Sequence, residues 1–313
     1  MAKKLSTNSL IEMRLSGTPI SWVTAYDFPI ARAAELAGID LILVGDSGGM
    51  VQLGMSSTTT VTMADMLTMT SSVRRGAEST FVVGDMPLGT YEISDELAIS
   101  NAIKFIQAGA DAVKLEGGAR IAQRVRAIVS AGIQVFGHIG LTPQSSMSTG
   151  GYTIQGKSVE AFESLVRDLA ALESAGVCAT LIEGTPALIG QQLRFHSTRP
   201  ILGIGGGRYL DGQLLVIGDL LGLVPDFRPK FAKCFVPGAI DEYVTRLNQP
   251  YENTTARNPL MNDGLLSISI LAIQHFIKDV KEHRFPDSET EYPLSHEVEV
   301  SLRESTSWMS DRT

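Results

Sequence analysis

The sequence predicts a (β/α)8 barrel, and three observations carry the prediction. Eight short, β-rich apolar runs alternate with helical segments between residues 20 and 222. An Ala-Gly pair leading into such a run recurs four times, as AGIDLILVGDS (37–47), AGADAVKLEGG (108–118), AGIQVFGHIG (131–140) and AGVCATLIEG (175–184). The first run ends in TAYDFP, which lacks the Gly-rich turn that an open doubly wound sheet places there.

The candidate strands, in order, are residues 20–27, 40–47, 80–87, 111–118, 134–141, 178–186, 200–207 and 214–222. Several are near-continuous apolar runs, as parallel strands covered on both faces require. The last also reads as a helix. Between them, Thr62 caps a helix running to Arg75 that ends at Gly76. Ser94 opens the next, with Asp95 and Glu96 in its first turn and Gln107 at its end. Ser158 opens a helix to Ser174. Thr185-Pro186 reads as a cap followed by proline at the first helical position. The segment 140–157, rich in Gly and Ser, reads as a long functional loop.

After about residue 240 the pattern changes. Residues 1–240 read as the barrel and 241–285 as a helical extension. Within that extension, 263–285 is amphipathic, with Leu266, Ile270, Ile273 and Ile277 on one face. Residues 286–313 are polar and weakly patterned, which predicts an extended or disordered tail unless a neighbouring subunit holds it.

Composition narrows the function. The chain has 313 residues, 44% hydrophobic and 19% charged, with net charge -8. That supplies a large core and no basic stripe, so nucleic acid is not an expected partner. No apolar run approaches a membrane span, and the N-terminus lacks a signal-peptide core. A cytoplasmic protein is expected. Cys178 and Cys234 are far apart and form no CxxC, which argues against zinc or a disulfide framework.

The charges at the strand ends are the informative feature. Asp46, Asp85, Lys114, Glu116, His138 and Glu183 fall at the C-terminal ends of five consecutive candidate strands. Catalytic groups of barrel enzymes gather there. Lys114 and Glu116 are two apart and share a face. Alone they would read as a buried ion pair, which is a costly structural device. Strands lie about 4.8 Å apart, so carboxylates on neighbouring ends are close enough to share one ion. Oxygen ligands with room for substrate suit Mg²⁺, whereas zinc would want His or Cys. Mg²⁺ can chelate a 2-oxo acid and acidify its adjacent C–H. Lys114 can stabilise the enolate oxygen, and Glu183 or His138 can serve as base.

The same phrases, TAYD (24–27), VGDS (44–47), GDMP (84–87), VKLEGG (113–118), GHIGLTPQS (137–145), GGY..QG (150–156), GIGGG...DGQ.LV (203–216) and PKFAK (229–233), occur in one order. In them the chain resembles the ketopantoate hydroxymethyltransferase family over about residues 18–240. The resemblance implies a barrel of the phosphoenolpyruvate/pyruvate superfamily, Mg²⁺, and 5,10-methylenetetrahydrofolate as one-carbon donor. It implies transfer of that carbon to 3-methyl-2-oxobutanoate, giving 2-dehydropantoate in the pantothenate pathway. It implies that Asp46 and Asp85 ligate the metal, with Glu116 joining them. Ser47 and Lys114 would hold the 2-oxo acid, which Asp46 and Asp85 would reach through the metal. Glu183 would be the acid/base with His138 beside it. It also implies a homo-oligomer, a decamer in the family.

The chain departs from the family pattern in several places. Gly218 stands where His is usual and Thr60 where Pro is usual; GDMP runs on into Leu88, and GIGGG replaces GIGAG. A tail beyond residue 240 longer than in a typical member is a further expected departure. These suggest a divergent member, with Leu88 and Gly206 enlarging the pocket for a different 2-oxo acid. Three other readings stay open. One is a lyase or mutase of the same superfamily, against which neither cysteine sits in a reactive context. Another has GIGGG binding a phosphate, with a tightly packed glycine turn as its equal rival. The last is a catalytically silent scaffold.

Overall fold

The apolar runs become eight parallel strands that close on themselves, with β8 pairing back to β1. The computed structural model describes residues 4–145, 151–224, 228–247 and 264–309. The strands are β1 (Ile20–Thr24), β2 (Leu41–Val44), β3 (Phe81–Asp85), β4 (Ala112–Glu116), β5 (Val135–Gly140), β6 (Ala179–Glu183), β7 (Ile201–Ile204) and β8 (Gly212–Leu215). Closure leaves no sheet edge unpaired. Trp22 of β1, Phe81 of β3 and Phe136 of β5 meet inside the barrel, with Trp22–Phe136 centroids 5.4 Å apart and Phe81–Phe136 6.2 Å. Side chains from alternate strands fill one interior layer in this way. The alternation that turns Phe81 and Phe136 inward also turns Asp85, four residues on, and His138, two residues on, inward above them.

Thr62, Ser94 and Ser158 cap the helices Met63–Gly76, Asp95–Gln107 and Val159–Ala175, each accepting from a backbone N–H of the first turn. Thr185 does not cap. Pro186 is the N-cap of helix Ala187–His196 and supplies no side-chain bond, because Thr185 is still held by β7 through its N–H to the Gly205 carbonyl. The eighth strand is also displaced from its expected span. It starts at Gly212, and Ile217–Leu220, expected as strand, is a helical turn tied to β1 by the Ile217 N–H to Thr24 Oγ1 bond, 2.9 Å.

No helix separates β7 from β8. The extension covers the barrel elsewhere, where helix Leu265–Lys281 packs against β1 and helix Phe28–Ala37. Its buried face is Ser267, Ile270, Leu271, Ala272, Ile273, Phe276 and Val280. Leu266, expected in the stripe, is exposed, and Ile277 is half-buried. Phe235, Phe276 and Phe285 pack edge to face with centroids 5.7–5.9 Å apart and anchor this helix to the segments before and after it.

The tail, expected to be extended or disordered, is built into the fold as far as residue 309. Ser295 caps a helix, His296–Arg303. Trp308 packs on Phe162 at 6.2 Å, and the Met309 N–H donates to Gln192 Oε1 at 2.8 Å. One aromatic ring and the paired backbone groups hold a segment whose composition is polar. Among the described residues, no helix is long and apolar enough to cross a membrane.

Truncating Phe276, fully buried at the centre of the three-ring cluster, should cost about 3–5 kcal/mol. Denaturant unfolding of Phe276→Ala against the wild type measures it; an unchanged midpoint would show that the extension adds nothing to barrel stability.

Candidate active site at the mouth of the barrel

Strand register decides which charges become neighbours. Asp85 lies opposite Lys114, Glu116 opposite His138, and Gly140 opposite Glu183. Asp46 follows β2 by two residues, and its backbone N–H donates to Asp85 Oδ2 at 3.1 Å. Lys114 Nζ donates to Asp85 Oδ1 at 2.6 Å and to Glu116 Oε1 at 3.2 Å. His138 bridges the next pair, with Nδ1 at 3.2 Å from Glu116 Oε1 and Nε2 at 3.3 Å from Glu183 Oε2. Both ring contacts are bent off the hydrogen-bond line, so they are ionic more than directional. All six ionisable groups named from the sequence therefore come together. Ser47 sits at the edge of the set, its Oγ 2.9 Å from the Tyr26 hydroxyl.

Burial and charge pull against each other here. Burial opposes ionisation of Glu116, yet the Lys114 ammonium and then His138 hold its carboxyl down to about 2. Burial likewise opposes the imidazolium of His138, but the Glu116 carboxylate prevails and raises its pKa to about 9. Lys114 is kept charged against its burial by Asp85, Glu116 and Asp46. Asp46 is pushed well up, by burial first and then by the charges of Asp85 and Glu116. Asp85 is also raised, again chiefly by burial. Of the three carboxylates, Asp46 alone has no ion pair among the described residues, and it accepts an amide donor from Gln144.

The chemistry of these donors fits a hard divalent cation. Carboxylate oxygens of Asp46, Asp85 and Glu116 lie within 4.8 Å of one another. Two oxygens on one Mg²⁺ are at most about 4.2 Å apart, so small side-chain rotations bring the three to one ion. Such an ion would relieve the repulsion that raises Asp46.

Charge alone did not point to several residues. Gln144 and Tyr26 lie within the phrases GHIGLTPQS and TAYD but are neutral. Tyr91, fully buried, hydrogen-bonds Gln144 Oε1 at 2.8 Å and carried no signal. The tail also reaches the mouth. Glu291 holds Arg208, which follows β7, through Nη2 at 2.7 Å and Nε at 2.8 Å. The Tyr292 carbonyl accepts from the Ala187 N–H at 3.1 Å, four residues past Glu183.

The glycine run after β7 is packed solid. A Cβ on Gly205 would meet the Phe231 ring at 2.7 Å, and one on Gly207 would meet Ala187 Cα at 2.4 Å. Neither leaves a phosphate cradle, so the packed-turn reading holds. Nor does Gly206 open the pocket, because Leu210 Cδ1 fills its side-chain position at 3.0 Å. Cys178 is buried, which pushes its thiol up to about 12 and leaves it unreactive. Of the loop 140–157, residues 146–150 lie outside the described residues.

The closed barrel is shared with solved enzymes, one of them a member of the phosphoenolpyruvate mutase/isocitrate lyase superfamily. A 2,3-dimethylmalate lyase aligns with TM-score 0.54 at 18% identity, covering 90% of this chain and 98% of its own. A phosphonopyruvate hydrolase aligns with TM-score 0.55 at 15% identity, covering 79% and 87%. These likenesses concern the fold. The ketopantoate hydroxymethyltransferase family model matches residues 4–255. A 3-methyl-2-oxobutanoate hydroxymethyltransferase of Thermoanaerobacter sp. (strain X514) is 42% identical over 295 residues, 94% of this chain and 98% of that protein. One from Ignicoccus hospitalis is 47% identical over 231 residues, 74% of this chain and 88% of its own. The chain belongs to the ketopantoate hydroxymethyltransferase family and is a hydroxymethyltransferase.

Metal ligands bind deprotonated, and burial holds Asp46 and Asp85 toward their protonated forms. Affinity for Mg²⁺ should therefore rise with pH as these carboxyls ionise, with protons released on binding. Calorimetric titrations in buffers of different ionisation enthalpy measure this; a pH-independent affinity would show that the ion does not use these carboxylates.

Proposed function

We propose that the chain transfers a one-carbon unit from 5,10-methylenetetrahydrofolate to 3-methyl-2-oxobutanoate, giving 2-dehydropantoate for the pantothenate pathway. Asp46, Asp85 and Glu116 would hold Mg²⁺. The observation that carries this reading is the meeting of three buried carboxylates with Lys114 at the barrel mouth, in a chain of this family. The 2-oxo acid comes from the names of its relatives. When bound, the metal would supply Lewis-acid polarisation of the keto group.

The protein's own groups divide the remaining work. Lys114 is held charged, and its ammonium offsets the negative charge that develops on the 2-oxo acid oxygen during enolisation. Glu183 is the base. Its side chain is 16% exposed, whereas those of Asp85, Lys114, Glu116 and His138 are at most 3% exposed, so it faces the mouth through which substrate enters. It takes the C3 proton of 3-methyl-2-oxobutanoate. His138, held as imidazolium between Glu116 and Glu183, is a donor and not a competing base. Ser47, half-buried and fixed by Tyr26, can donate to the substrate carboxylate. Water adds to the donor's methylene carbon as its two C–N bonds to the folate break, which releases tetrahydrofolate and leaves the one-carbon unit at the formaldehyde level. The nucleophilic C3 bonds to that carbon, and the carbonyl oxygen takes up a proton to become the hydroxyl. The assembly that completes this reading is a homo-oligomer, for which the exposed Ile103 and Ile106 of helix Asp95–Gln107 offer an apolar surface.

Enolisation can be read without folate, as Mg²⁺-dependent exchange of the C3 proton in D₂O followed by NMR. Wild-type protein should exchange 3-methyl-2-oxobutanoate, and a chelator should stop it. Lys114→Met and Glu183→Gln should each lower the exchange rate by about 10²–10⁴-fold while the protein stays folded. Faster exchange with another 2-oxo acid would reassign the acceptor. Absence of exchange with every acid tried would favour a silent scaffold.

A further inference from the structure

Gln144 lies just past β5, is 6% exposed, and touches two of the three carboxylates at once. Its backbone N–H donates to Glu116 Oε2 at 3.0 Å. Its side-chain amide donates to Asp46 Oδ2 at 2.9 Å and to the Met86 carbonyl at 3.0 Å. Its Oε1 accepts from the Tyr91 hydroxyl at 2.8 Å. The Tyr91 oxygen in turn accepts from the Glu116 N–H at 3.3 Å. The bonds form a closed ring that runs from Glu116 to Tyr91, to Gln144, and back to Glu116, with a branch to Asp46.

The direction of each bond in that ring is set by chemistry. The Tyr91 oxygen receives the Glu116 N–H, and its own proton goes to Gln144 Oε1 at 2.8 Å, a shorter contact than the competing Glu116 carbonyl at 3.2 Å. An amide whose oxygen is occupied in this way must present its NH₂ to Asp46. A carboxylate could not replace it, because it would turn a donor into a fourth negative charge. An apolar side chain of the same length would fill the space and leave Asp46 without a partner. The ring also spans elements, linking the residue after β2, the end of β3, the end of β4 and the loop after β5. The side-chain hydrogen bonds of Gln144 and Tyr91 go to Asp46, Met86, Glu116 and each other, not to Glu183 or Lys114.

We infer that Gln144 is a positioning residue that, oriented by Tyr91, holds Asp46 and Glu116 in the arrangement that receives the divalent cation. The inference rests on the metal reading proposed above. Partners of this kind behind metal ligands typically set 10–100-fold in affinity.

The test uses Mn²⁺ as an oxygen-seeking spectroscopic stand-in, with binding followed by electron paramagnetic resonance on the full-length protein. Gln144→Met keeps the length and removes the side-chain donors; Gln144→Leu removes them too, and neither adds a charge. Both should bind Mn²⁺ about 10–100-fold more weakly than wild type. In C3–H exchange, each should need correspondingly more metal, with the maximal rate restored once metal saturates. Equal Mn²⁺ affinity in Gln144→Met and wild type would overturn the inference and leave the metal reading standing. No Mn²⁺ binding by wild type would remove the metal reading, and the positioning role with it. A loss of exchange that saturating metal fails to restore would also overturn it, since Gln144 would then act on substrate. Should the Gln144 variants not fold, Tyr91→Phe decides: freeing the amide to turn should weaken Mn²⁺ binding about 3–10-fold, and unchanged affinity would sink the proposal.

Discussion

Three carboxylates and an imidazole are buried where the barrel strands end, and the Lys114 ammonium is what makes their burial tolerable. Carboxylates desolvated within 4.8 Å of one another would otherwise protonate or force the strands apart. Lys114 answers two of them directly, Asp85 and Glu116. The remaining imbalance falls on Asp46. That leftover negative charge would favour a cation beside it, and a neutral amide from Gln144 is pointed at it.

The closed sheet makes this charge arrangement rigid. Each of the six ionisable site residues sits on a strand or within two residues of one, and each strand is hydrogen-bonded on both sides. A side chain cannot drift without moving two neighbours. The barrel interior below the site is packed by Trp22, Phe81 and Phe136, so the charges have no apolar void into which to relax. Above it, the chain returns from a distance to finish the mouth. Arg208, which follows β7, is held by Glu291, and the loop that follows Glu183 is held by the Tyr292 carbonyl. The C-terminal region is thus both barrel cover, through helix Leu265–Lys281, and part of the rim.

Much of this was legible in the linear chain, for reasons that are local. Thr62, Ser94 and Ser158 cap helices because a short hydroxyl side chain needs only the next turn of backbone to bond to. The strand ends Asp85, Glu116 and Glu183 were legible because a charge ending a fully apolar run has few other uses. Where local chemistry was ambiguous, the reading slipped. The stretch LLVIGDLLG suits strand or helix equally, and the position of Thr24 under Ile217 decides for a helical turn. Thr185-Pro186 looks like a cap, yet β7 holds the Thr185 backbone outside the helix. Of the predicted stripe of the extension, Ile270 and Ile273 are buried together with Phe276, whereas Leu266 is exposed and Ile277 half-buried.

The sequence by itself determined the class of fold, the level at which ionisable groups gather, and the family. Periodicity, capping and strand-end charges are properties of neighbouring residues, and folding does not alter them. Tertiary structure alone decided which charges pair. Lys114 meets Asp85 and His138 meets Glu183 only because of the register between neighbouring strands, which no single segment encodes. It also decided the neutral members of the site. Gln144 and Tyr91 are 53 residues apart and carry no charge to announce them, and they become a unit only when β4 and the loop after β5 lie side by side. The tail was the least legible part. Its polar composition offers no periodicity, and the forces that order it come from Arg208, Gln192 and Phe162, all of them distant in the chain.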